Sequence, residues 1–278
     1  MKKFNQKHGF TIIEVSLFLA LSGFLMIGLI VGANISIARQ RYNDSVNSFT
    51  DFIRGAYTDT LNVSNDPDQS GRSRTAIYGK LVTFGEPNAG KTIYAYDVVG
   101  KAISSSAATS PTVLEMLKNE LGANIIKSEQ SAGGTYSNSF YNMASYTIPW
   151  DGELKNPNNA DGSINHSSFT GAVLIVRSPT TGGIRTYVYN GTVPNFHEAA
   201  NPDVQSNSSN LFKTFLNKPA SEPHFQEGQL DMCLDSPDNN LGNRRNFRIL
   251  ERANNSTGVT VVGLNDTDSV TGSKCLGR

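Results

Sequence analysis

Residues 9–34 read GFTIIEVSLFLALSGFLMIGLIVGAN and predict an apolar helix of membrane length. Positions 15–33 carry no charge. In a helix, these nineteen residues span about 28 Å, close to the hydrocarbon thickness of a bilayer. Lys2, Lys3 and Lys7 precede the apolar run. Because basic flanks stay on the cytoplasmic side, the C-terminal bulk of the chain is expected outside the cell.

Glu14 lies inside the start of this apolar run. A carboxylate at such a position costs a few kcal/mol in a bilayer, which makes it a functional candidate that needs a cationic partner. An ordinary secretory signal peptide explains neither the carboxylate nor the length of the run. A plain signal anchor is the remaining alternative, and it explains the length and the topology but not Glu14.

Residues 9–15, GFTIIEV, resemble the type III signal sequence of type IV prepilins and of type II secretion pseudopilins. That family pattern is a short basic leader, Gly, Phe, three further residues, Glu and then a long apolar run. The resemblance implies that a membrane-bound prepilin peptidase cuts after Gly9 and methylates the new N-terminal residue, Phe10.

Cleavage after Gly9 would leave a positive amine on Phe10, four residues before Glu14 and on the same helix face. In the family, this amine is thought to pair with the glutamate of a neighbouring subunit. A buried charge left alone costs more than the pair gains, so the pairing specifies alignment more than it adds stability. Apolar helix packing would hold the filament, through Ile12, Ile13, Leu17, Leu21 and Leu25.

The pattern becomes amphipathic after Asn34. Apolar side chains recur every three or four residues, which is the period of one helix face; they are Tyr42, Val46, Phe49, Ile53, Tyr57 and Leu61. No proline occurs before Pro67, so one helix is expected over 11–63. We interpret the stripe as the face that packs on the chain's own head, as the same helix half does in pilins; a site for a partner is the alternative.

Residues 39–46, RQRYNDSV, and residues 62–63 are similar to pilins of ultrasmall episymbiotic bacteria such as Saccharibacteria. The family resemblance extends over residues 1–64. The chain is therefore divided into a leader at 1–9, a transmembrane or filament-core helix at 10–33, an amphipathic continuation at 34–64 and a globular head at 65–278.

The head is predicted to be rich in short strands that follow a turn at 65–71. The strands are expected at 75–84, 92–99, 143–149, 172–177, 185–189, 246–251 and 258–263, and the apolar run 173–176 suggests an interior strand. Helices are predicted at 111–121 and 210–216, and loops at 129–140, 151–168 and 195–209. The expected fold is α+β, with a long N-terminal helix packed on an antiparallel β-rich head.

Cys233 and Cys275 are the two cysteines of the chain. Two cysteines in an exported chain more often pair than stay free, and pairing across this separation stabilises by about 4 kcal/mol on the chain-entropy estimate. Two buried free thiols are the alternative. The placement is similar to that of the C-terminal disulfide-bounded loop of many pilins.

Charge is balanced, with 24 basic and 24 acidic residues, which argues against nucleic acid as the main partner. Four arginines cluster on a predicted strand, and we interpret them as a solvated sheet edge, with a DNA or polysaccharide contact as the alternative; they are Arg244, Arg245, Arg248 and Arg252. Acidic residues at Asp231, Asp235, Asp238, Asp266 and Asp268 are predicted to form acidic loops, with calcium binding as the alternative.

Residues 66–71, DPDQSG, match the opening of a calcium loop, but Ile77 stands where the closing acidic ligand belongs, so we interpret them as a turn. The sequence contains no zinc-finger, serine-hydrolase, zincin or P-loop motif. We therefore expect no catalytic residue, cofactor or metal, and an external ATPase would have to drive assembly.

The sequence and the resemblance together predict a structural subunit, major or minor, of a type IV pilus that serves adhesion or motility. Its partners would be other pilin subunits, the prepilin peptidase, the assembly ATPase, the platform protein, the membrane and a host cell surface. It would cross the cytoplasmic membrane once before assembly and lie in an extracellular filament afterwards. The alternatives are a pseudopilin of a secretion or DNA-uptake system and an anchored adhesin that does not polymerise.

Overall fold

The computed structural model describes residues 11–62, 75–87, 91–101, 110, 112–123, 125, 129–130, 136–137, 143–159, 161–199, 205–235, 244–262 and 275. The chain forms two compact units, Met1–Asn43 and Asp44–Arg278. The predicted leader at 1–9, the turn at 65–71 and the acidic residues Asp238, Asp266 and Asp268 lie outside the described residues.

One uninterrupted helix, α1, runs from Ile12 to Leu61 and belongs to both units. Its bounds agree within two residues with the predicted helix at 11–63. The helix remains unbroken because no proline occurs within it, and its isolated glycines weaken a helix without ending it. Its first part is apolar on all sides, and its second part carries the buried face described below.

The head contains short strands and helices. The strands are β1 Thr75–Phe84, β2 Thr92–Lys101, β3 Glu129–Gln130, β4 Tyr136–Ser137, β5 Met143–Thr147, β6 Glu153–Lys155, β7 Gly171–Arg177, β8 Ile184–Asn190, β9 Leu230–Asp235, β10 Arg245–Ile249 and β11 Val259–Val262. The helices are α2 Val113–Asn119, α3 Phe196–Ala199 and α4 Gln205–Leu216, with a 3₁₀ turn at Ser256–Gly258.

The strands form a five-stranded sheet in the order β5-β2-β1-β7-β8, a four-stranded sheet in the order β11-β10-β9-β6, and the pair β3-β4. All pairings are antiparallel. The predicted fold class, an α+β chain with a long helix on an antiparallel head, is therefore confirmed. The prediction of an interior strand at 173–176 is also confirmed, because β7 pairs with β1 on one side and β8 on the other.

The five-stranded sheet is covered on both faces. On one face, Phe84 of β1 lies 6.3 Å from the ring of Phe49 of α1, measured between ring centres. On the other face, side chains of α2 and α4 join a buried cluster that includes Leu117, Tyr189 and Phe215. Burial on both faces explains why the strands read as nearly continuous apolar runs instead of an alternating pattern.

Gly79 lies at a bulge in β1 and allows β1 and β7 to approach closely. The register of β1 against β2 shifts between Ile77 and Gly79. A Cβ atom at Gly79 would lie 1.9 Å from the carbonyl oxygen of Ile175, so no other residue fits there without moving the backbone.

Several elements of the head differ from the prediction. Strand β6 and the pair β3-β4 lie in segments predicted as loops, 151–168 and 129–140, and α3 lies in the predicted loop 195–209. Helix α4 begins at Gln205, before the predicted start at 210. These elements have two to four residues, apart from α4, and such short pieces carry too little periodicity to be recognised.

The most informative error concerns β9, which was not predicted. The strand reads LDMCLD, and its residues Asp231 and Asp235 were predicted to lie in acidic loops. Aspartate is depleted in strands. Both aspartates are tolerated because β9 is an interior strand whose neighbour β10 supplies arginines.

Candidate functional site

The first part of α1 is an apolar helix whose side chains are all exposed. Every residue from 11 to 37 is exposed, including the predicted packing residues Ile12, Ile13, Leu17, Leu21 and Leu25, whose exposed fractions range from 60% to 86%. The helix is long and apolar enough to cross a membrane. Covering its large side chains would be worth about 1.5–3 kcal/mol each, so a surface of this size needs lipid or other apolar helices around it.

The hydroxyl groups in this apolar segment are satisfied within the helix itself. The Ser16 hydroxyl donates to the carbonyl oxygen of Ile12 at 2.5 Å, and the Ser22 hydroxyl donates to that of Leu19 at 3.0 Å. A lipid environment requires such internal partners, because it offers polar groups none. The segment can therefore be surrounded by hydrocarbon without leaving these hydroxyl groups unsatisfied.

Glu14 caps the N-terminus of its own helix. Its Oε2 atom accepts hydrogen bonds from the Thr11 backbone N–H at 2.8 Å and from the Thr11 hydroxyl at 3.0 Å. In return, the Glu14 N–H donates to the Thr11 hydroxyl oxygen at 3.3 Å. The arrangement is a capping box, in which a Thr and a Glu three residues later satisfy each other's backbone groups.

This reciprocal cap was missed in the sequence, although the spacing Thr11-x-x-Glu14 is its signature. It gives Glu14 a role inside a single chain, beside the predicted pairing with another subunit. The other half of that pair, Phe10, and the predicted cleavage residue Gly9 lie outside the described residues.

The second part of α1 carries the predicted stripe on its buried side. Val46, Phe49, Ile53 and Tyr57 are buried, the last three completely. Tyr42 is partly exposed, and Leu61 is wrongly assigned to the buried face, because 47% of its surface is exposed.

The helical period explains the error at Leu61. With 3.6 residues per turn, Leu61 is rotated by about 120° from Phe49, whereas Thr60 is rotated by only about 20°. Thr60 accordingly takes the buried position, and its hydroxyl donates to the carbonyl oxygen of Ala56 at 2.8 Å. Because threonine is polar, the pattern of apolar residues could not identify Thr60 as the end of the stripe.

Ring contacts bind α1 to both sheets of the head. Phe49 lies 4.5 Å from Phe247 of β10, measured between ring centres. Phe52 stacks on Tyr146 of β5 at 4.7 Å, with ring planes 16° apart. Since aromatic pairs add to the energy of burial, this half of the helix forms part of the head's core.

Polar bonds also link α1 to the head. The Tyr57 hydroxyl lies 2.9 Å from the Thr186 hydroxyl of β8, which donates to the carbonyl oxygen of Ala253 at 2.5 Å. Because the Thr186 hydroxyl donates its single proton to Ala253, the Tyr57 phenol is the donor to Thr186. Burial raises the pKa of Tyr57 to about 12. The Arg54 side chain donates to the carbonyl oxygen of Val259 at 3.1 Å.

The predicted disulfide between Cys233 and Cys275 is present, with the two Cα atoms 5.5 Å apart. Both cysteines are buried. The bond ties the end of the chain to β9, and the alternative of two free thiols is excluded.

The interpretation of the arginine cluster as a solvated edge is wrong. Strand β10 lies inside its sheet, and Arg244 and Arg248 are almost fully buried. Arg248 Nε lies 2.6 Å from Asp231 Oδ1, and Arg244 Nη2 lies 2.9 Å from Asp235 Oδ2. These pairs are internal, so Arg244 and Arg248 are not part of a basic strip on the surface.

Arg252, at one end of the predicted arginine cluster, is exposed. Its side chain is 68% exposed, it lies in a turn with φ 57°, and it pairs with Glu227 and Glu251. It therefore does not continue the face of Arg248 as an extended strand would.

A buried carboxylate that the sequence did not reveal lies at Glu86, just after β1. It accepts hydrogen bonds from the hydroxyl groups of Thr83 and Tyr96 and from the backbone N–H of His197 in α3. Burial raises the pKa of Glu86, although these donors oppose the shift. The carboxylate holds α3 against the sheet, and the described residues contain no cluster of His, Cys, Asp and Glu fit to hold a metal ion.

Comparisons with family models, with curated proteins and with solved structures give no match for this chain.

Proposed function

We propose that this chain is the precursor of a type IV pilin-like filament subunit, which is cut after Gly9 and assembled through its N-terminal helix. The observation that carries the proposal is the division of α1. The helix is apolar and exposed on all sides over residues 12–33, and it then continues without interruption into the core of a folded head. The motif GFTIIEV at residues 9–15 supports the same reading.

The apolar segment is suited to two environments, the membrane and a filament. In the membrane, lipid covers the side chains of residues 12–33. In a filament, the same side chains of other copies cover them. Since lipid tails are as apolar as leucine, moving the helix from lipid into a filament changes its hydrophobic energy little. Helix packing and polar contacts therefore decide whether the helix stays in the membrane or enters the filament.

Glu14 is the polar contact that makes assembly specific in this proposal. In the precursor, the carboxylate is bonded to Thr11. The prepilin peptidase then creates an amine at Phe10, and the carboxylate of a neighbouring copy pairs with it. An external ATPase and a platform protein move the subunit out of the membrane, and the filament is a pilus or a pseudopilus.

A second candidate is a membrane-anchored adhesin that does not polymerise. The capping box favours it, because a bond to Thr11 gives Glu14 a partner without a second copy. This reading predicts an intact leader, a single chain in the membrane and no filament.

Mass spectrometry of the native protein tests the two candidates. We expect a mature chain that begins with a methylated Phe10 and that is found in filaments sheared from cells. A protein that still begins at Met1 and stays in the membrane fraction would overturn the proposal and favour the anchored adhesin.

A further inference from the structure

The described residues 156–159 and 161–168 form the β6–β7 loop on the surface of the head. Its base is closed by an isolated bridge between Lys155 and Ser168. Inside the loop, the Asp161 carboxylate accepts hydrogen bonds from the N–H and the hydroxyl of Ser163 at 2.8 and 2.6 Å. Its later residues are bonded to the neighbouring four-stranded sheet.

Arg244 connects the loop to that sheet. It precedes β10, its side chain is only 6% exposed, and its Nε and Nη2 atoms lie 3.0 and 2.9 Å from Oδ2 of Asp235 in β9. The same guanidinium reaches the loop twice. Its Nη1 donates to the carbonyl oxygen of Asn165 at 2.8 Å, and its Nη2 lies 3.3 Å from Nδ1 of His166. One buried arginine therefore joins the end of β9 to two successive residues of the loop.

The contact between Arg244 and His166 defines the protonation state of the imidazole. A guanidinium has five donors, no acceptor and a permanent positive charge. Nδ1 of His166 is therefore the acceptor, and a ring nitrogen accepts only when it carries no proton. A protonated imidazole has two N–H donors and a positive charge, so it loses this bond and is repelled by Arg244.

His166 is exposed, so a proton can reach its ring without unfolding of the head. Histidine is the side chain that ordinarily gains its charge between about pH 8 and pH 5. The bond to Arg244 is therefore made at the upper end of this range and lost at the lower end.

Charged groups lie around the loop on each neighbouring element; they are Lys91 before β2, Glu153 and Lys155 of β6, Asp161 of the loop, Asp235 of β9 and Arg244. Burial alone would raise the pKa of Glu153, but hydrogen bonds from Lys155 and Ser168 outweigh it and lower this pKa. The bonds from Ser163 lower the pKa of Asp161. Both carboxylates therefore stay charged over the range in which a histidine titrates.

We infer that His166 is a pH switch for the β6–β7 loop: the neutral ring holds the loop to Arg244, and the protonated ring releases it. Asp235 remains as the partner of Arg244 after the release, so the sheet does not open with the loop. The surface that the loop presents therefore differs between neutral and acidic surroundings. This switch lies within the head, so it is independent of whether the chain forms a filament.

Hydrogen–deuterium exchange of the full-length protein in detergent, read by mass spectrometry, tests the switch. Samples at about pH 7.5 and about pH 5.5 bracket the ordinary titration of histidine, and labelling times are scaled to the intrinsic exchange rate at each pH. We expect peptides that cover residues 161–168 to exchange several-fold faster at the acidic pH, while peptides of β7 keep their rate. Equal scaled rates in the loop, or the same acceleration in β7, would overturn the inference.

Three variants separate the imidazole from other effects of pH. His166→Gln keeps a neutral acceptor for Arg244, so the loop should exchange slowly at both pH values. His166→Lys has a positive charge and no acceptor, so the loop should exchange fast at both. His224→Gln is the control, because His224 lies outside the loop, beside the carbonyl oxygen of Glu222, and the wild-type response should remain. A pH response that persists in His166→Gln would belong to another group and overturn the inference.

Discussion

Glu14 caps its own helix inside one chain, and the proposed function adds a second role for it between chains. An N-terminal cap contributes about 1 kcal/mol, whereas an unpaired carboxylate in the bilayer costs a few kcal/mol. The cap to Thr11 therefore reduces the cost of Glu14 without removing it. A cation is the stronger partner for this carboxylate, and in the proposed assembly the Phe10 amine of a second cleaved copy supplies it.

The variants Glu14→Gln and Glu14→Ala separate these two roles. Glutamine can replace glutamate in a capping box but carries no charge, whereas alanine loses both the cap and the charge. We expect both variants to insert into the membrane and both to reduce filament yield at least tenfold. The yield is measured by immunoblotting of sheared filaments against the membrane fraction.

A specific result would contradict the pairing with the amine. If Glu14→Gln assembles normally while Glu14→Ala does not, then the cap to Thr11 is sufficient and the charge has no role. Thr11→Val provides the control, because it weakens the cap and keeps the carboxylate.

Glu86 predicts a pH dependence of the head's stability. Burial raises the pKa of Glu86 above its ordinary value of 4.5, so the folded head holds this proton more tightly than the unfolded chain does. The stabilising contribution is complete below pH 4.5 and is lost as the pH rises through the folded-state pKa. Urea denaturation from pH 4 to pH 8 should therefore show a loss that is smaller in Glu86→Gln. Parallel pH profiles of the two proteins would contradict this assignment.

At the scale of elements, α1 is one helix with two environments. Its exposed part ends near Asn43, and its buried face begins at Ser45 and Val46. The helical backbone is the same on both sides of this boundary, so the difference comes from the side chains alone. Phe49 and Tyr57 of the second part are completely buried, whereas Phe18 and Phe24 of the first part are exposed.

The two ends of the apolar stripe should respond differently to substitution. Phe49→Ala removes a completely buried ring and is expected to cost about 3–5 kcal/mol of unfolding free energy. Leu61→Ala alters a half-exposed side chain and should cost less than about 1 kcal/mol. Chemical denaturation of the head measures both. Equal losses would mean that Leu61 is covered in solution.

The sequence predicted the elements whose signal is local. Helix α1 was found from its unbroken period, β1 from its branched and aromatic residues, and the disulfide from two cysteines in an exported chain. Strand β9 and the buried pair of Asp231 with Arg248 were missed, because each residue alone favours the surface. Their burial depends on a partner from another strand, and such a pairing is set by register across the sheet, which no local pattern contains.

The candidate site, like the fold, could be predicted only where a local residue pattern identifies it. Its apolar residues and Glu14 follow from composition and spacing. The cap to Thr11 has a signature that was present and was not used. The bond between Ser45 and Pro149 could not be found in this way, because the two residues are far apart in the chain.

At the scale of the whole molecule, the head has its own core and does not need residues 1–43 to form it. Both sheets, the helices that cover them and the disulfide lie in Asp44–Arg278. The buried half of α1 lies in the same unit. The unit therefore resembles an independent domain, and the apolar segment that precedes it is long and apolar enough to cross a membrane.

A protein consisting of residues 44–278 should therefore be a soluble monomer, because it keeps the buried stripe and loses the exposed apolar segment. The matched protein, residues 12–278, should require detergent and should aggregate when it is removed. Size-exclusion chromatography with light scattering measures both. Aggregation of residues 44–278 would mean that the head leaves an apolar face of α1 uncovered. A soluble monomer of residues 12–278 without detergent would show that the apolar segment folds back on the head, which is incompatible with a helix kept free for other copies.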